Sequence, residues 1–175
     1  MRGYFGVGVE EISKAMNLGA LMRTAHAFGA SFFFTINSTV SLREARNSDT
    51  ARAEKNLPFY AFDSVEAMLL PRGCVLVGVE LLDEAVDLPA FRHPHAAAYV
   101  LGRERGSLSP ALQARCKHVV KIPTQFCLNV GLAGALTLYD RTLSMGGYPA
   151  RPIMPGGPPP ELAPVSVRAS KTRAG

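Results

Sequence analysis

The sequence predicts an α/β fold with a mainly parallel sheet and helices on both of its faces. Short apolar runs of strand length alternate with helical segments along most of the chain, which is typical of parallel sheets. The run Ser31–Ile36 contains three consecutive phenylalanines, as expected for a strand that is covered on both faces. The alternation alone predicts a Rossmann-like arrangement with a site at the carboxyl ends of the strands.

The first half of the chain begins with a strand and a helix. Gly6 and Gly8 in the strand indicate that another element packs closely against it. The helix has one apolar side, and Gly29 follows it as a suitable C′ residue. The predicted elements are a strand at Tyr4–Val9, a helix at Asn17–Phe28, a strand at Ser31–Ile36, a helical turn at Ser41–Arg46, a turn-rich segment at Asn47–Asn56 and a short strand at Pro58–Ala61.

The second half carries clearer helix boundaries. Asp63, with Glu66 three residues later, forms a capping signature. Ser109 precedes a proline at the first helical position, and Asn129 lies where an N-cap is expected. The predicted elements are a helix at Asp63–Leu69, a strand at Cys74–Val79, a loop at Glu80–Pro94, a strand at Ala96–Leu101, a helix at Ser109–Arg115, a strand at Val119–Ile122 and a helix at Asn129–Leu143.

Length and composition predict one domain at residues 1–148, followed by a tail at residues 149–175. The chain has 175 residues, 47% of them hydrophobic and 19% charged, as in globular proteins. The tail contains seven of the thirteen prolines and no sustained apolar pattern, so we expect it to be extended or disordered. No apolar run approaches the length of a membrane span, and the start shows no secretory signal.

Charge and cysteine content give weaker indications. The net charge of +5 favours an anionic partner, but the tail alone contributes +3 of it. The three cysteines, Cys74, Cys116 and Cys127, are odd in number and widely spaced. They show no metal-ligand spacing, so we expect no metal and a reducing, cytoplasmic environment with buried thiols.

Three motifs carry the functional information. The first is Asn17-Leu-Gly-Ala-Leu-Met-Arg23-Thr-Ala, the second is Leu101-Gly-Arg-Glu-Arg-Gly-Ser-Leu-Ser109, and the third is Ile122-Pro followed by Leu128-Asn-Val130. Their order and spacing resemble the three motifs of the SpoU/TrmH-like 2′-O-ribose RNA methyltransferases of the SPOUT superfamily. The resemblance covers roughly residues 3 to 147.

The resemblance implies a fold and an activity. The fold is an α/β knot, in which the last strand–loop–helix passes through an earlier loop as a trefoil; sequence physics would not suggest a knot. The activity is methyl transfer from S-adenosylmethionine to a ribose 2′-hydroxyl of tRNA or rRNA, by a homodimer in which each site borrows from the partner. The first motif begins within twenty residues of Met1, which favours the minimal, tRNA-directed members.

Two predicted loops at strand ends would hold the implied cofactor. Leu101–Leu108 and Ile122–Leu128 both offer main-chain polar groups, and the glycines of the first loop would let a ligand approach closely. Ordinary tight turns are the alternative explanation of those glycines. The predicted cofactor-binding residues are Leu101, Gly102, Glu104, Gly106, Ile122, Cys127, Leu128 and Leu132.

Four residues are predicted to be catalytic: Arg23, Asn17, Glu104 and Asn129. Arginine stays protonated in proteins, so Arg23 is better suited to gripping a phosphate and stabilising alkoxide charge than to acting as a base. Asn17 would orient Arg23 or the adjoining loop, and Glu104 would accept a hydrogen bond from either of them. Asn129 would bond the reacting hydroxyl or hold the neighbouring loops. A surface arginine, plain N-caps and a solvated carboxylate are the structural alternatives.

The chain departs from the family pattern at two positions. Cys127 stands where the family usually has serine. In the second motif the family often has a glycine followed directly by a leucine, and here Ser107 separates the two. A thiol donates a weaker hydrogen bond than a hydroxyl. Cys127 therefore keeps open a non-catalytic RNA-binding protein on the same fold. The other alternative is a SPOUT methyltransferase that acts on a base, which would need a group to activate a ring nitrogen.

Overall fold

A computed structural model describes residues 3–44, 57–103, 106–149 and 155 of the chain. Seven strands and three α-helices lie within these residues, residues 42–44 are also helical, and a short 3₁₀-helix precedes the sixth strand. The strands are β1 (Tyr4–Glu10), β2 (Phe32–Ile36), β3 (Phe59–Phe62), β4 (Val75–Val79), β5 (Val86–Asp87), β6 (Ala96–Leu101) and β7 (His118–Lys121). The helices are α1 (Ala15–Ala27), α2 (Pro110–Arg115) and α3 (Val130–Ser144), and the 3₁₀-helix is Leu88–Ala90.

The strands form one sheet in the order β3-β2-β1-β6-β4-β7-β5, and every described pair is parallel. This confirms the predicted α/β class. In the register, Gly8 of β1 is paired with Phe34 of β2 and with Val100 of β6. Because all strands run the same way, the carboxyl ends of β1, β6, β4 and β7 are neighbours at one edge of the sheet, although they are far apart in sequence.

The sheet separates two hydrophobic cores, so helices cover both faces as predicted. One core joins α1 and α3 to the sheet through residues such as Leu21, Leu138 and Tyr99. The other joins α2 to the opposite face through residues such as Phe34 and Leu112. The two helices of the first core also pack against each other.

Aromatic rings occupy the space above two glycines of β1. A Cβ atom at Gly6 would lie 2.2 Å from the Phe32 ring, and one at Gly8 would lie 2.2 Å from the Phe34 ring. The predicted close packing against β1 is therefore confirmed, and the partner is the adjacent strand β2 on the face that α2 covers. Side chains at these two positions would displace buried rings.

A buried arginine fixes α3 to the amino-terminal side of β6. Arg141 donates to the main-chain oxygens of Pro94 at 2.7 Å and His95 at 2.9 Å. It also donates to the Tyr99 hydroxyl at 2.9 Å, and its guanidinium lies 4.9 Å from the centroid of the Phe5 ring. These contacts satisfy a charge that would otherwise be costly to bury.

A histidine beside this arginine completes the network. The His93 side chain is 0% exposed, with Nδ1 2.6 Å from the Tyr99 hydroxyl and Nε2 2.9 Å from a carboxylate oxygen of Asp140. Burial lowers the pKa of His93, and the contact with Asp140 opposes this shift. Burial also raises the pKa of Tyr99 to about 12. No sequence pattern indicates a role for His93, because the four histidines are scattered along the chain.

The helix predicted at Asp63–Leu69 is wrong, because the chain forms turns there. The side chains of Val65 and Met68 are buried in the core on the α2 face. Arg115 of α2 donates to the main-chain oxygens of both residues. Tertiary packing and a side-chain donor thus replace the helical hydrogen bonds that the capping signature suggests.

The other predicted helices and strands form, and their ends are displaced by at most two residues. Of the helical turn predicted at Ser41–Arg46, residues 42–44 are helical, and residues 45 and 46 lie outside the described residues. α1 begins at Ala15, before Asn17, and β7 ends at Lys121, before Ile122. The Glu80–Pro94 loop contains the short strand β5 and the 3₁₀-helix. Three parts of the prediction lie outside the described residues: the turn-rich segment Asn47–Asn56, Glu104, and the tail apart from residues 149 and 155. No helix in the described part of the chain is long and apolar enough to cross a membrane.

Candidate functional site

A cleft of about 220 Å³ opens at the carboxyl ends of β4, β6 and β7. Its walls come from the start of α1, the loops that follow these three strands, and the start of α3. The position agrees with the prediction made from strand alternation. Eight residues singled out from the three motifs line the cleft: Asn17, Leu101, Gly102, Gly106, Ile122, Cys127, Leu128 and Asn129.

Two of the predicted site residues do not line this cleft. Arg23 lies on the exposed side of α1, six residues after Asn17, or about 9 Å along a helix. Leu132 lies in the first turn of α3 with 60% of its surface exposed. Glu104 belongs to the residues that the structure does not describe.

The cleft also contains residues that the sequence analysis missed. Val79, Glu80 and Leu81 line it from the end of β4, and Lys14 and Arg103 add two basic side chains. The strand before Glu80 is predicted from the sequence, but its place between β6 and β7 in the sheet is not. Only that strand order brings Glu80 to the two motif loops.

Asn17 and Asn129 contact each other at the edge of the cleft. The side-chain nitrogen of Asn129 donates to Oδ1 of Asn17 at 3.2 Å. The Asn129 Oδ1 atom accepts from the main-chain nitrogen of Gly131 at 2.9 Å, which confirms the predicted N-cap of α3. Asn17 is not a cap, because α1 is preceded by Lys14 at the N-cap position. The pair links the amino-terminal turns of α1 and α3.

Close packing between the same two helices depends on small residues of α3. A Cβ atom at Gly134 would lie 2.4 Å from a methyl carbon of Leu21 on α1. At Gly131 it would lie 3.5 Å from the Cβ atom of Ala20. The glycines that follow the third motif thus allow another helix of the same chain to approach closely.

Two glutamates anchor the end of the loop that follows β6. The carboxylate of Glu80 accepts from the main-chain nitrogen of Leu108 at 2.9 Å. The carboxylate of Glu10, at the end of β1, accepts from the nitrogen and hydroxyl of Ser109 at 2.8 and 2.5 Å. Ser109 also caps α2, because its hydroxyl oxygen accepts from Leu112. The Leu-Ser end of the second motif therefore has a structural function: it fastens the loop to both strands that flank β6.

The glycines of this loop occupy restricted positions. A Cβ atom at Gly102 would lie 2.6 Å from Oε2 of Glu80 and 3.1 Å from the Leu108 nitrogen. Gly106 has a φ angle of 135°, which side chains rarely adopt. The contacts at Gly102 and the φ angle at Gly106 thus disfavour any side chain at these positions, and both glycines line the cleft.

Arg103 is held on the surface of this loop. Its guanidinium lies 2.8 Å from a carboxylate oxygen of Glu11 and donates to the Ser107 main-chain oxygen at 3.2 Å. Glu11 has a φ angle of 50°, an unusual conformation for a residue other than glycine. This turn at the end of β1 directs a carboxylate toward the loop, so Arg103 is ordered beside the cleft.

The three cysteines occupy different environments, and none is in a disulfide. Burial raises the pKa of Cys116 to about 12 and also raises that of Cys74. Both thiols are partly buried, in broad agreement with the prediction. The prediction of a buried thiol is wrong for Cys127, which is exposed and lines the cleft. The described residues contain no cluster of three or more His, Cys, Asp or Glu side chains that could hold a metal ion.

Comparison with known proteins agrees with the arrangement of the motifs. Residues 5–139 match the model of the SpoU rRNA Methylase family. The mouse tRNA (guanosine(18)-2′-O)-methyltransferase TARBP1 is 31% identical over 140 residues. That match covers 75% of this chain but only 9% of the mouse protein.

Solved structures share the fold. A structure described as giving insights into 2-OH methylation of C/U34 on tRNA has a TM-score of 0.74 at 22% identity, over 85% of this chain and 100% of the other. The methyltransferase AviRb of Streptomyces viridochromogenes, in complex with AdoMet, has a TM-score of 0.71 at 22% identity, over 83% of this chain and 62% of its own. Together with the family match over residues 5–139, the fold and the three converging motifs establish that this chain belongs to the SpoU rRNA methylase family.

Proposed function

We propose that this protein transfers a methyl group from S-adenosylmethionine to a ribose 2′-hydroxyl of RNA. The observation that carries the proposal is the convergence of eight residues from three separate motifs on one cleft, in a member of the SpoU family. The mouse relative is named as a tRNA 2′-O-methyltransferase, which favours tRNA over rRNA as the substrate.

The cleft suits the proposed cofactor. Leu101, Ile122, Leu128 and Val130 supply apolar walls for an adenine, and the loops add main-chain donors and acceptors. The neighbouring structure of AviRb holds AdoMet, and it has the same fold. When bound, the cofactor supplies a methyl group that is already activated on a sulfonium. The protein must therefore align the acceptor oxygen and promote loss of its proton.

The asparagine pair and Arg23 are the groups proposed to act on the acceptor. Asn17 and Asn129, held together at the cleft, would orient the ribose hydroxyl and the adjoining loop. Arg23 would grip the adjacent phosphate and stabilise negative charge on the oxygen as the methyl group arrives. Glu104, which belongs to the second motif, keeps its proposed role as an acceptor for Arg23 or Asn17.

A homodimer is part of the proposal, because Arg23 lies outside the cleft of its own chain. Apolar side chains are exposed on the same helices: Met16 on α1, and Leu132, Leu136 and Tyr139 on one side of α3. Pairing of two chains through this surface, which we call the α1–α3 face, would cover these residues. It would also bring Arg23 of one protomer toward the cleft of the other.

The trefoil knot implied by the resemblance also stays a proposal. β7 lies in the sheet between β4 and β5, which are consecutive in sequence. The 80–85 connection joins those two strands and contacts the end of β7, where Lys121 donates to the Asp83 main-chain oxygen at 2.8 Å. The chain that leaves β7 must pass this connection, and passage through it would create the knot. An experimental electron-density map of residues 80–94 and 118–144 would test the threading.

A non-catalytic RNA-binding function is the second candidate, and one observation favours it. Cys127 is exposed in the cleft at the position where the family usually has serine. A base-directed methyltransferase, the third possibility, would need a group that activates a ring nitrogen. A cytoplasmic location remains a prediction that accompanies all three, supported by the unpaired cysteines.

Two experiments test the proposed function. Isothermal titration of the purified, folded protein with S-adenosylmethionine should give saturable binding; no heat at millimolar cofactor would favour the RNA-binding function. Mapping of 2′-O-methylation in RNA from cells with and without the gene should then identify the lost site. Loss of a base methylation instead would overturn the ribose assignment.

A further inference from the structure

A glutamate lies at the carboxyl end of each of the two strands that flank β6, and both carboxylates anchor the same loop. Glu10 ends β1, and Glu80 follows β4. They accept from the consecutive main-chain nitrogens of Ser109 and Leu108, where the 102–108 loop enters α2. Carboxylates that accept from main-chain nitrogens make stronger hydrogen bonds than neutral acceptors do. The exit of the loop is therefore fixed from both sides.

The two glutamates differ in their relation to the cleft. Glu10 is 2% exposed and is not among the residues that line it. Glu80 does line it, and its environment joins several parts of the wall. Its main-chain nitrogen donates to the Val120 oxygen of β7 at 2.9 Å, and its other carboxylate oxygen accepts from the Leu81 nitrogen at 3.0 Å. Glu80 thus connects the ends of β4 and β7 with the loop after β6.

The entry and the exit of the loop meet at the Glu80 carboxylate. Oε2 accepts from Leu108 at the exit, and it occupies space 2.6 Å from where a Cβ atom of Gly102 would lie at the entry. The Leu108 nitrogen would lie only 3.1 Å from that same Cβ position. This carboxylate therefore holds the two ends of the loop together and fixes the position of Gly102 beside the cleft.

We propose that Glu80 is a positioning residue for the cofactor, acting through Gly102 and Leu108, the two ends of the loop that follows β6. The inference rests on the proposed function, since S-adenosylmethionine is the ligand whose main-chain contacts the loop would supply. Glutamine at position 80 would keep one acceptor oxygen but present an amide nitrogen to the other main-chain donor. Loss of one hydrogen bond to a charged group corresponds to about tenfold or more in affinity.

Titration calorimetry with S-adenosylmethionine tests the proposal on the full chain. Wild type is measured first, so that failure of the proposed function appears as absence of binding by the wild type. We expect Glu80→Gln to raise Kd about tenfold while the number of sites per chain stays unchanged. A change that merely unfolds part of the sample would instead lower the number of sites and leave Kd unaltered.

Glu84→Gln is the matched control, because it removes one carboxylate charge from the same connection at an exposed residue that neither anchors the loop nor lines the cleft. It should leave Tm unchanged and Kd within about threefold of wild type, the scale of minor, indirect effects on affinity. A wild-type Kd for Glu80→Gln, or an equal rise in Kd for both variants, would overturn the proposal.

A double-mutant cycle with Gly102 keeps the test independent of folding defects. If the Glu80 carboxylate fills the space beside Gly102, then Gly102→Ala should cost less affinity in a Glu80→Ala background than in wild type. We expect the two penalties to differ by about threefold or more, the lower range of coupling between contacting residues. Additive effects would show that Glu80 does not position the entry of the loop, and would contradict the proposal.

Discussion

The side-chain amide of Asn129 donates to Oδ1 of Asn17 across 3.2 Å, while its own oxygen caps α3. One side chain thus stabilises a helix and joins it to the helix that carries the first motif. The two roles use different atoms, so they can be separated by substitution.

Asn129→Ser should preserve the cap and remove the link. Serine is as good an N-cap as asparagine, so we expect little change in Tm. The shorter hydroxyl does not reproduce the amide donor to Asn17, and we expect methyl transfer to fall about 10²-fold, the scale set by small misplacements of reacting groups. Asn129→Ala should lose about 1 kcal/mol of stability in addition. Thermal melts and single-turnover methylation measure both effects; full activity of Asn129→Ser would show that the link has no catalytic role.

Arg23→Ala should reduce methyl transfer and leave cofactor affinity unchanged, because Arg23 does not line the cleft. Loss of a group that stabilises charge in the transition state typically costs about 10²–10³ in rate. Arg23→Lys should rescue poorly, since an ammonium cannot form the bidentate fork. Single-turnover methylation and cofactor titration measure the two quantities; near wild-type turnover would make Arg23 an ordinary helix-surface residue.

Mixed dimers decide whether Arg23 acts on the partner's cleft. Subunits carrying Arg23→Ala should be reassorted with subunits carrying Asn129→Ala. If Arg23 acts across the dimer, each mixed dimer has one intact site, and activity should recover to about a quarter of wild type, as two-fold symmetry dictates. Absence of recovery, with mixed dimers shown to form, would place both residues in one site of the same chain.

Leu136→Glu should separate the dimer. Leu136 lies on the α1–α3 face with 45% of its surface exposed in the single chain. An unpaired carboxylate buried in an apolar interface costs about 3–5 kcal/mol, so the variant should be monomeric at micromolar concentration. Leu69→Glu is the control, because Leu69 is 80% exposed and lies outside that face. Light scattering distinguishes the outcomes; a monomeric wild type, or a dimeric Leu136→Glu, would contradict the proposed interface.

His93 should make the protein less stable in mild acid. Its pKa is lowered in the folded state from the ordinary value of 6.5, so the unfolded chain binds a proton more readily. The contribution of His93 to stability should therefore be constant above about pH 6.5 and decrease below it, until the pH reaches the lower folded-state pKa of His93. Asp140, Arg141 and Tyr99 are the ionisable groups in contact with this ring or its neighbours.

Denaturant unfolding at a series of pH values checks this dependence. His93→Gln should flatten the decrease between pH 6.5 and the folded-state pKa. His95→Gln is the control, since that side chain is exposed and only its main-chain oxygen accepts from Arg141. A decrease of equal size in the His93 variant would assign it to other groups.

The sequence predicted those parts of the fold and site that depend on local patterns. Strand alternation gave the parallel sheet, and Asn129 and Ser109 cap the helices that they were predicted to start. The helix predicted at Asp63–Leu69 does not form: Val65 and Met68 are buried in the core there, and their main-chain oxygens accept from Arg115, which is distant in sequence. A capping signature does not contain that information.

The residues of the candidate site also divide into those that a local sequence pattern predicts and those that depend on the strand order. Gly102 and Asn129 could be found because the motifs are contiguous in sequence. Glu80 could not be found, because its importance depends on the position of β4 between β6 and β7. No short-range pattern marks a residue whose carboxylate accepts from Leu108, 28 residues further along the chain, and whose main-chain nitrogen donates to Val120, 40 residues further along.

The helix α3 is fastened at both of its ends. Asn129 ties its first turn to α1, and Arg141 ties its last turn to the segment that precedes and includes β6. The two attachments are separated by about 18 Å along the helix axis, at opposite edges of the sheet. Such a helix cannot tilt or slide without breaking one set of hydrogen bonds. We therefore expect α3 to keep its position when a ligand binds, so that the cleft can adjust only through the segments around it.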